Sequence, residues 1–367
     1  MSSEVNRRDF LKISAAAVGG FVVGAAVGWF LKPTQEVITP KEEEGKLPEI
    51  KAYFIPSTPI EEPWVGVVHH ALQKAAETYK NVTYDWTENV PYSDVPRVMR
   101  EAVDGGYNLI FADVFGCEEE ARDVAADYPD VYFVLGSGMG PMDPNVCVFD
   151  DWIHEPAYIC GAIAAKLTDS NVIGVVGGYA IPEVNRLVNA FKAGVKDYNS
   201  DSLVKITFIN SWFDPPTAAS AARSQIDAGA DVIYAERYDP FSVTKELKIP
   251  TFGNLLDQWK EAPEVVITGP EWDMWPAVNE VVSMINEGRW QAKDLAEWTM
   301  MAKGGARLAG WTGKKPDTWH NYAERLDPSI VEKIEEREVL DLVDKLINDI
   351  MSGRFKVPIN EQVPVSD

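Results

Sequence analysis

Flat aromatic rings and carboxylates are the side chains here whose types and spacing could do chemistry. Trp64, Trp152, Trp212, Trp272 and Trp275 all fall just after predicted strands or at predicted helix starts. Indole faces at such places suit stacking on a planar ring, worth about 1–3 kcal/mol per ring. Core packing is the competing role for each of them. Asp239 and Asp257 stand near strand ends, where a carboxylate can accept from amino, ring N–H or sugar hydroxyl groups. Asp150-Asp151 precedes Trp152, and reads either as a hinge and cap or as one wall of a cleft. There is no GxSxG, P-loop, HExxH or kinase set. Gly177-Gly178 makes a tight strand–helix turn rather than a dinucleotide fingerprint. The adjacent His69 and His70 point to two sides of one helix and chelate poorly. No cofactor and no metal are expected.

The elements that must position these residues follow an α/β grammar. The stretch 205–239 shows it most clearly. Lys205–Asn210 alternates and is β-branched, as a strand should be. Pro215-Pro216 stop it. Asp214 or Thr217 caps a helix carrying Ala218, Ala221, Ala222 and Ile226 on one face. Gly229 ends that helix, and Asp231–Ala235 starts the next strand. Such a βαβ unit implies a parallel sheet, whose ligands lie at the carboxyl ends of the strands. Trp212, Phe213 and Asp239 fall at such ends.

Two series of this kind are predicted. The first has strands at 50–56, 82–86, 107–113, 131–135 and 146–149, with helices at 65–79, 94–105 and 118–127. Phe115-Gly116 follow the nearly continuous apolar strand 107–113. The second has helices at 154–166 and 183–198 and strands at 171–176, 249–252 and 265–268 around the 205–239 unit. A helix is predicted over 271–287 and another over 339–352. The fold class is therefore α/β, with two doubly wound parallel-sheet lobes around a cleft. Residues 49–150 with about 272–300 are assigned to lobe 1, and 151–271 with about 301–367 to lobe 2.

The chain of 367 residues carries a formal charge of −23, which disfavours nucleic acid and anionic membranes as partners. Cys117, Cys147 and Cys160 show no metal spacing, and their odd number argues against a full disulfide framework while leaving room for one bridge. Asn6-Arg7-Arg8-Asp9-Phe10-Leu11-Lys12, followed by the apolar run Ile13–Leu31, matches a twin-arginine export signal. An uncleaved anchor over 1–32, with signal cleavage as the alternative, and a polar tether over 33–48 are expected, with the body outside the cytoplasmic membrane.

Several stretches together carry a family resemblance: NSWFDP at 210–215 with GADVI at 229–233, AYICGAIAAKLT at 157–168, IPEV at 181–184, Phe115-Gly116, YPDV at 128–131 and TFG at 251–253. Over about 49–300 the chain resembles the basic membrane protein family of ABC solute receptors, which includes purine nucleoside receptors and has a periplasmic-binding-protein-like type I fold. The resemblance implies a nucleobase or nucleoside held between the lobes and delivered to an ABC permease. Trp64 would be the first-lobe aromatic that stacks on the base, Phe115 the pocket floor and Trp212 the opposing wall. Asp239 and Asp257 would be polar positions at strand ends, with Trp152, Glu183 of the IPEV stretch and Trp272 completing the expected site. The first-lobe loop STPIEEPW, 57–64, departs from the Asp-x-x-x-Phe-Asn pattern of nucleoside-binding members and favours a free base. The apolar run replaces the family's lipid anchor. A sensor of the same fold and an extracellular nucleoside-cleaving enzyme are the alternatives.

Overall fold

A computed structural model describes residues 47–310 and 323–367. The first sheet is built from β1 (Ile50–Ile55), β2 (Val82–Trp86), β3 (Leu109–Asp113), β4 (Tyr132–Gly136) and β5 (Val146–Phe149). Its order is β2-β1-β3-β4-β5, all parallel. Between them run α1 (Pro63–Thr78), α2 (Val95–Asp104) and α3 (Glu118–Asp127). Every residue of β3 is buried, as a central strand covered on both faces requires.

The second sheet contains β6 (Val172–Gly177), β7 (Leu203–Phe208), β8 (Val232–Ala235), β9 (Thr251–Phe252) and β10 (Val266–Thr268), in the order β10-β9-β8-β6-β7 and again parallel. Its helices are α4 (His154–Leu167), α5 (Pro182–Tyr198), α6 (Pro215–Asp227) and α7 (Phe241–Leu247). Asp214 caps α6, its Oδ1 accepting from Thr217 N at 3.1 Å. The α/β class with two doubly wound parallel-sheet lobes is as the residue pattern predicts.

α4 is buried almost all round, so it is a core helix rather than an amphipathic one. It lies backbone to backbone on α5. A Cβ on Gly161 would stand 2.0 Å from the Phe191 carbonyl oxygen, and one on Gly194 would stand 2.1 Å from that of Tyr158. Only glycine permits this approach.

The chain crosses from the first sheet to the second through Asp150–Ile153. It later crosses back: α8 (Trp275–Asn286) packs against α1, and Asp294 bridges Val148 at the edge of β5. Here the expected helix over 271–287 is too long. Pro270–Trp272 is instead a strand, β11, antiparallel to β12 (Ala306–Leu308). The helix begins only at Trp275, whose N–H is accepted by Asp273 Oδ1 at 2.9 Å, with Pro276 in its first turn. Two helices were not expected, the short α7 and α9 (Pro328–Glu336), which precedes α10 (Val339–Met351). α10 packs against α4. Among the described residues no helix is long and apolar enough to cross a membrane. The expected anchor over 1–32 and most of the tether lie outside them.

Candidate functional site

Both sheets have a switch point, where neighbouring strands send their following segments to opposite faces. These are β1/β3 in the first sheet and β6/β8 in the second. The carboxyl ends of those strands face each other across a small cavity of about 30 Å³.

The first-sheet wall is a closed hydrogen-bond network. Asp113 ends β3 and is buried. Its Oδ2 accepts from Ser57 Oγ, in the loop after β1, and from Tyr92 OH at 3.1 Å. Its Oδ1 accepts from Phe115 N at 3.3 Å. Burial pushes the Asp113 carboxyl up from the ordinary range, and those three donors pull against it. Glu62 caps α1 by accepting from Val65 N at 3.0 Å. It too is pushed up by burial, with Arg237 opposing. Trp64, in the first turn of α1, stacks on Phe149 at 5.4 Å between centroids and lines the cavity.

The second-sheet wall is built on a buried ion pair. Glu236 and Arg237 follow β8 directly. Arg237 donates to the Glu236 carboxylate from Nε at 3.0 Å and from a terminal nitrogen at 2.6 Å. Glu236 also accepts from Gly178 N, after β6, at 2.9 Å. The other terminal nitrogen of Arg237 reaches 3.8 Å from Glu62 across the cavity. Burial disfavours the charged guanidinium, but Glu236 and Glu62 outweigh it and Arg237 stays charged. The guanidinium lies 5.2 Å from the centroid of Trp212, which meets Phe115 edge-on at 5.3 Å.

Glu183, in the first turn of α5, projects into the same cavity. It is 6% exposed and accepts no hydrogen bond from the described residues. Burial and then Asp150 and Asp151 push its carboxyl well up. Glu183 also borders a second, adjoining cavity of about 490 Å³, with Asp150, Trp152, Arg186 and Glu361. There the Arg186 guanidinium stacks on Trp152 at 3.8 Å and donates to Glu361 at 2.7 Å.

Of the expected site residues, Trp64, Phe115, Glu183 and Trp212 line the first cavity and Trp152 lines the second. Three are placed elsewhere. Asp239 turns back onto the start of α7, accepting from Phe241 N at 2.7 Å. Asp257 is carried past the sheet edge because the chain after β9 turns at Leu255 to bridge Glu271; its carboxylate faces Arg325 and Arg307. Trp272 is 2% exposed and packs on Phe149 and Trp64, as a core residue. The residues that sequence reasoning missed are Ser57, Glu62, Tyr92, Asp113, Glu236 and Arg237. Three of them carried a readable signal. Asp113 closes an otherwise apolar strand, and Glu236-Arg237 follow another without a break, so all three are charges at a strand's carboxyl end.

A family model described as Bmp, ABC transporter substrate-binding protein PnrA-like, matches residues 50–306. A protein of Haloferax volcanii, with the words ABC transporter glucose-binding protein in its name, is 32% identical over 250 residues, 68% of this chain and 63% of that one. The purine-binding protein of Brucella abortus is 30% identical over 240 residues, 65% of this chain and 67% of its own. An ABC transporter nucleoside-binding protein of Lactococcus lactis is 28% identical over 47% of this chain and 48% of that one. The match thus spans about two thirds or less of each relative. Among solved structures, an ABC solute-binding protein of Aeropyrum pernix has a TM-score of 0.68 at 21% identity, covering 85% of this chain and 94% of that one. One from Conexibacter woesei has 0.63 at 19%, covering 84% and 99%. These two speak to the fold alone.

Proposed function

This chain belongs to the Bmp family of PnrA-like ABC transporter substrate-binding proteins, and from that premise we propose that its cavity takes a purine base or nucleoside for delivery to a membrane permease. The observation that carries this reading is the make-up of the cavity. It combines the rings of Trp64, Phe115 and Trp212 with the carboxylate of Glu183, which has no donor among the described residues. A purine offers a flat face to the rings and ring N–H or amino donors to that carboxylate. Two relatives have purine-binding or nucleoside-binding in their names, which supports the reading.

A second reading rests on a separate observation, the glucose-binding words in the name of the Haloferax volcanii relative. Indole faces and carboxylates also suit a sugar ring. Calorimetric titration of the purified protein with adenine, guanine, hypoxanthine, adenosine, guanosine and glucose separates the two. Saturable binding of a purine, weakened by Trp212→Ala, is expected. Binding of glucose alone would replace purine by sugar.

Delivery without turnover is part of the proposal. Nucleosides incubated with the protein should be recovered intact; released ribose would overturn this part of the reading. A sensor role predicts instead a kinase or chemoreceptor partner in pull-down. Export through the twin-arginine route, with anchoring by residues 13–31, is proposed from Arg7-Arg8. Replacing both arginines with lysine should trap the protein in the cytoplasm; continued export would refute that route.

A further inference from the structure

We propose that a divalent cation, Ca²⁺ by its tolerance of an irregular oxygen shell, binds between Asp150, Asp151 and Glu183, where the chain crosses from the first sheet to the second. One carboxylate oxygen from each residue lies within 4.8 Å of the others. Ca²⁺ takes oxygen ligands at 2.3–2.6 Å, so opposite ligands stand about 4.6–5.2 Å apart. A set no wider than 4.8 Å fits inside that sphere. Mg²⁺ holds its ligands tighter, about 4.0–4.2 Å across, and demands a more regular shell.

The second observation is Asp151 itself. It is 0% exposed, and neither of its carboxylate oxygens has a hydrogen-bond partner among the described residues. A buried carboxylate is stable only when it is paired, ligated or protonated. Pairing is incomplete here. The Arg186 guanidinium stays 3.9 Å from Asp150 and 4.0 Å from Asp151, and its short bond goes to Glu361. When ionised, the three carboxylates share one guanidinium with Glu361 and keep an excess of negative charge that a divalent ion would offset with its positive charge.

The surrounding groups do not supply that charge. Arg237 is held by Glu236. Asp294 adds to the negative potential at Asp150. His154 is kept neutral, its imidazole pushed down to about 4 by burial and by Arg186. Protons are the competing occupants, because burial raises all three carboxyls. Access is available: Asp150 and Glu183 border the 490 Å³ cavity, from which water can fill the remaining coordination positions.

The site goes beyond the ligand reading and does not rest on it. Glu183 belongs to both, however. An ion on one of its oxygens fixes the carboxylate that the ligand meets, so ion and ligand should change each other's affinity by the same factor.

The test uses the full-length protein, stripped with EDTA and titrated with CaCl₂ at neutral pH without organic ligand. Two readouts apply: the thermal midpoint, and displacement of Tb³⁺ whose luminescence is excited through nearby tryptophan. A single saturable site with Kd of about 10⁻⁴–10⁻³ M is expected, as in extracellular calcium modules, with Mg²⁺ weaker. Asp151→Asn should weaken it at least tenfold, and Asp257→Asn, outside both cavities, should leave it unchanged. If Asp151→Asn fails to fold, Asp150→Asn and Tb³⁺ displacement in the wild type carry the test. Absence of saturable Ca²⁺ binding in the wild type, or Tb³⁺ binding untouched by both Asn variants, overturns the proposal and leaves protons as the occupants. Purine binding can succeed or fail under either result.

Discussion

The two walls of the cavity use opposite means to hold charge in a place sheltered from water. On the first-sheet wall one carboxylate, Asp113, is surrounded by neutral donors from Ser57, Tyr92 and the Phe115 backbone. On the second-sheet wall Arg237 and Glu236 hold each other, with Glu62 reaching across from the first. The first arrangement is a sum of modest bonds, and losing one leaves the rest. The second is a buried pair whose members are costly apart. The difference teaches where the site is robust and where one substitution collapses it.

The sharpest break is Arg237→Ala. It leaves Glu236 and Glu62 buried without a cation and should cost about 3–5 kcal/mol in urea unfolding. Arg237→Met combined with Glu236→Gln should recover most of that; no recovery would show that the pair is not the source. Trp272→Ala follows, with about 3–5 kcal/mol of stability lost from the core. Trp212→Ala, by contrast, should keep the thermal midpoint close to wild type and weaken ligand about 5- to 150-fold, as one stacking face is worth about 1–3 kcal/mol. Equal destabilisation by the two would erase the distinction between wall and frame.

The pH response is smaller and has a definite sign. Asp150 titrates at about 6 when folded, and Asp151 and Glu183 are also raised, chiefly by burial. The folded state therefore holds these protons more tightly than the unfolded chain. Their contribution is full below the ordinary carboxylate range and is lost as pH rises through about 6. In calcium-free buffer the wild type should lose on the order of 1–3 kcal/mol more than Asp151→Asn between pH 4 and 7. Comparing the two cancels the opposite response of His154. Smallest is Tyr92→Phe, which removes one donor from Asp113 and should cost about 0.5–1.5 kcal/mol in the same unfolding experiment.

Much of the frame was legible because parallel sheets write themselves locally. The apolar run of β3, the prolines opening α6 and the glycine that ends it need no distant partner to be read. β11 was not legible, because Trp272 is apolar in either a helix or a strand and only pairing with β12 decides. The site divides the same way. Trp64 and Trp272 give the same signal, an indole at an element's edge, yet one lines the cavity and the other closes the core behind it. Asp239 has the right residue type at the right strand end, but the backbone of α7 claims it, while Arg237 two residues earlier faces inward. Which charge turns into a cleft depends on contacts between segments more than a hundred residues apart, such as Glu62 with Arg237, and no local pattern encodes them.

The glycine contact between α4 and α5 bears on how a bound ligand is reported at a distance. The two helices cannot slide without a clash of backbone atoms, so they turn as one piece. α4 starts at the crossing, and α5 carries Glu183 at its near end. At 1.5 Å per residue the 17 residues of α5 span about 26 Å. A rotation of about 10° at the crossing would sweep its far end through about 4–5 Å. The pair is a lever with a short arm at the cavity and a long arm that ends at Tyr198, so a small turn at the crossing becomes a large displacement at the far end of α5.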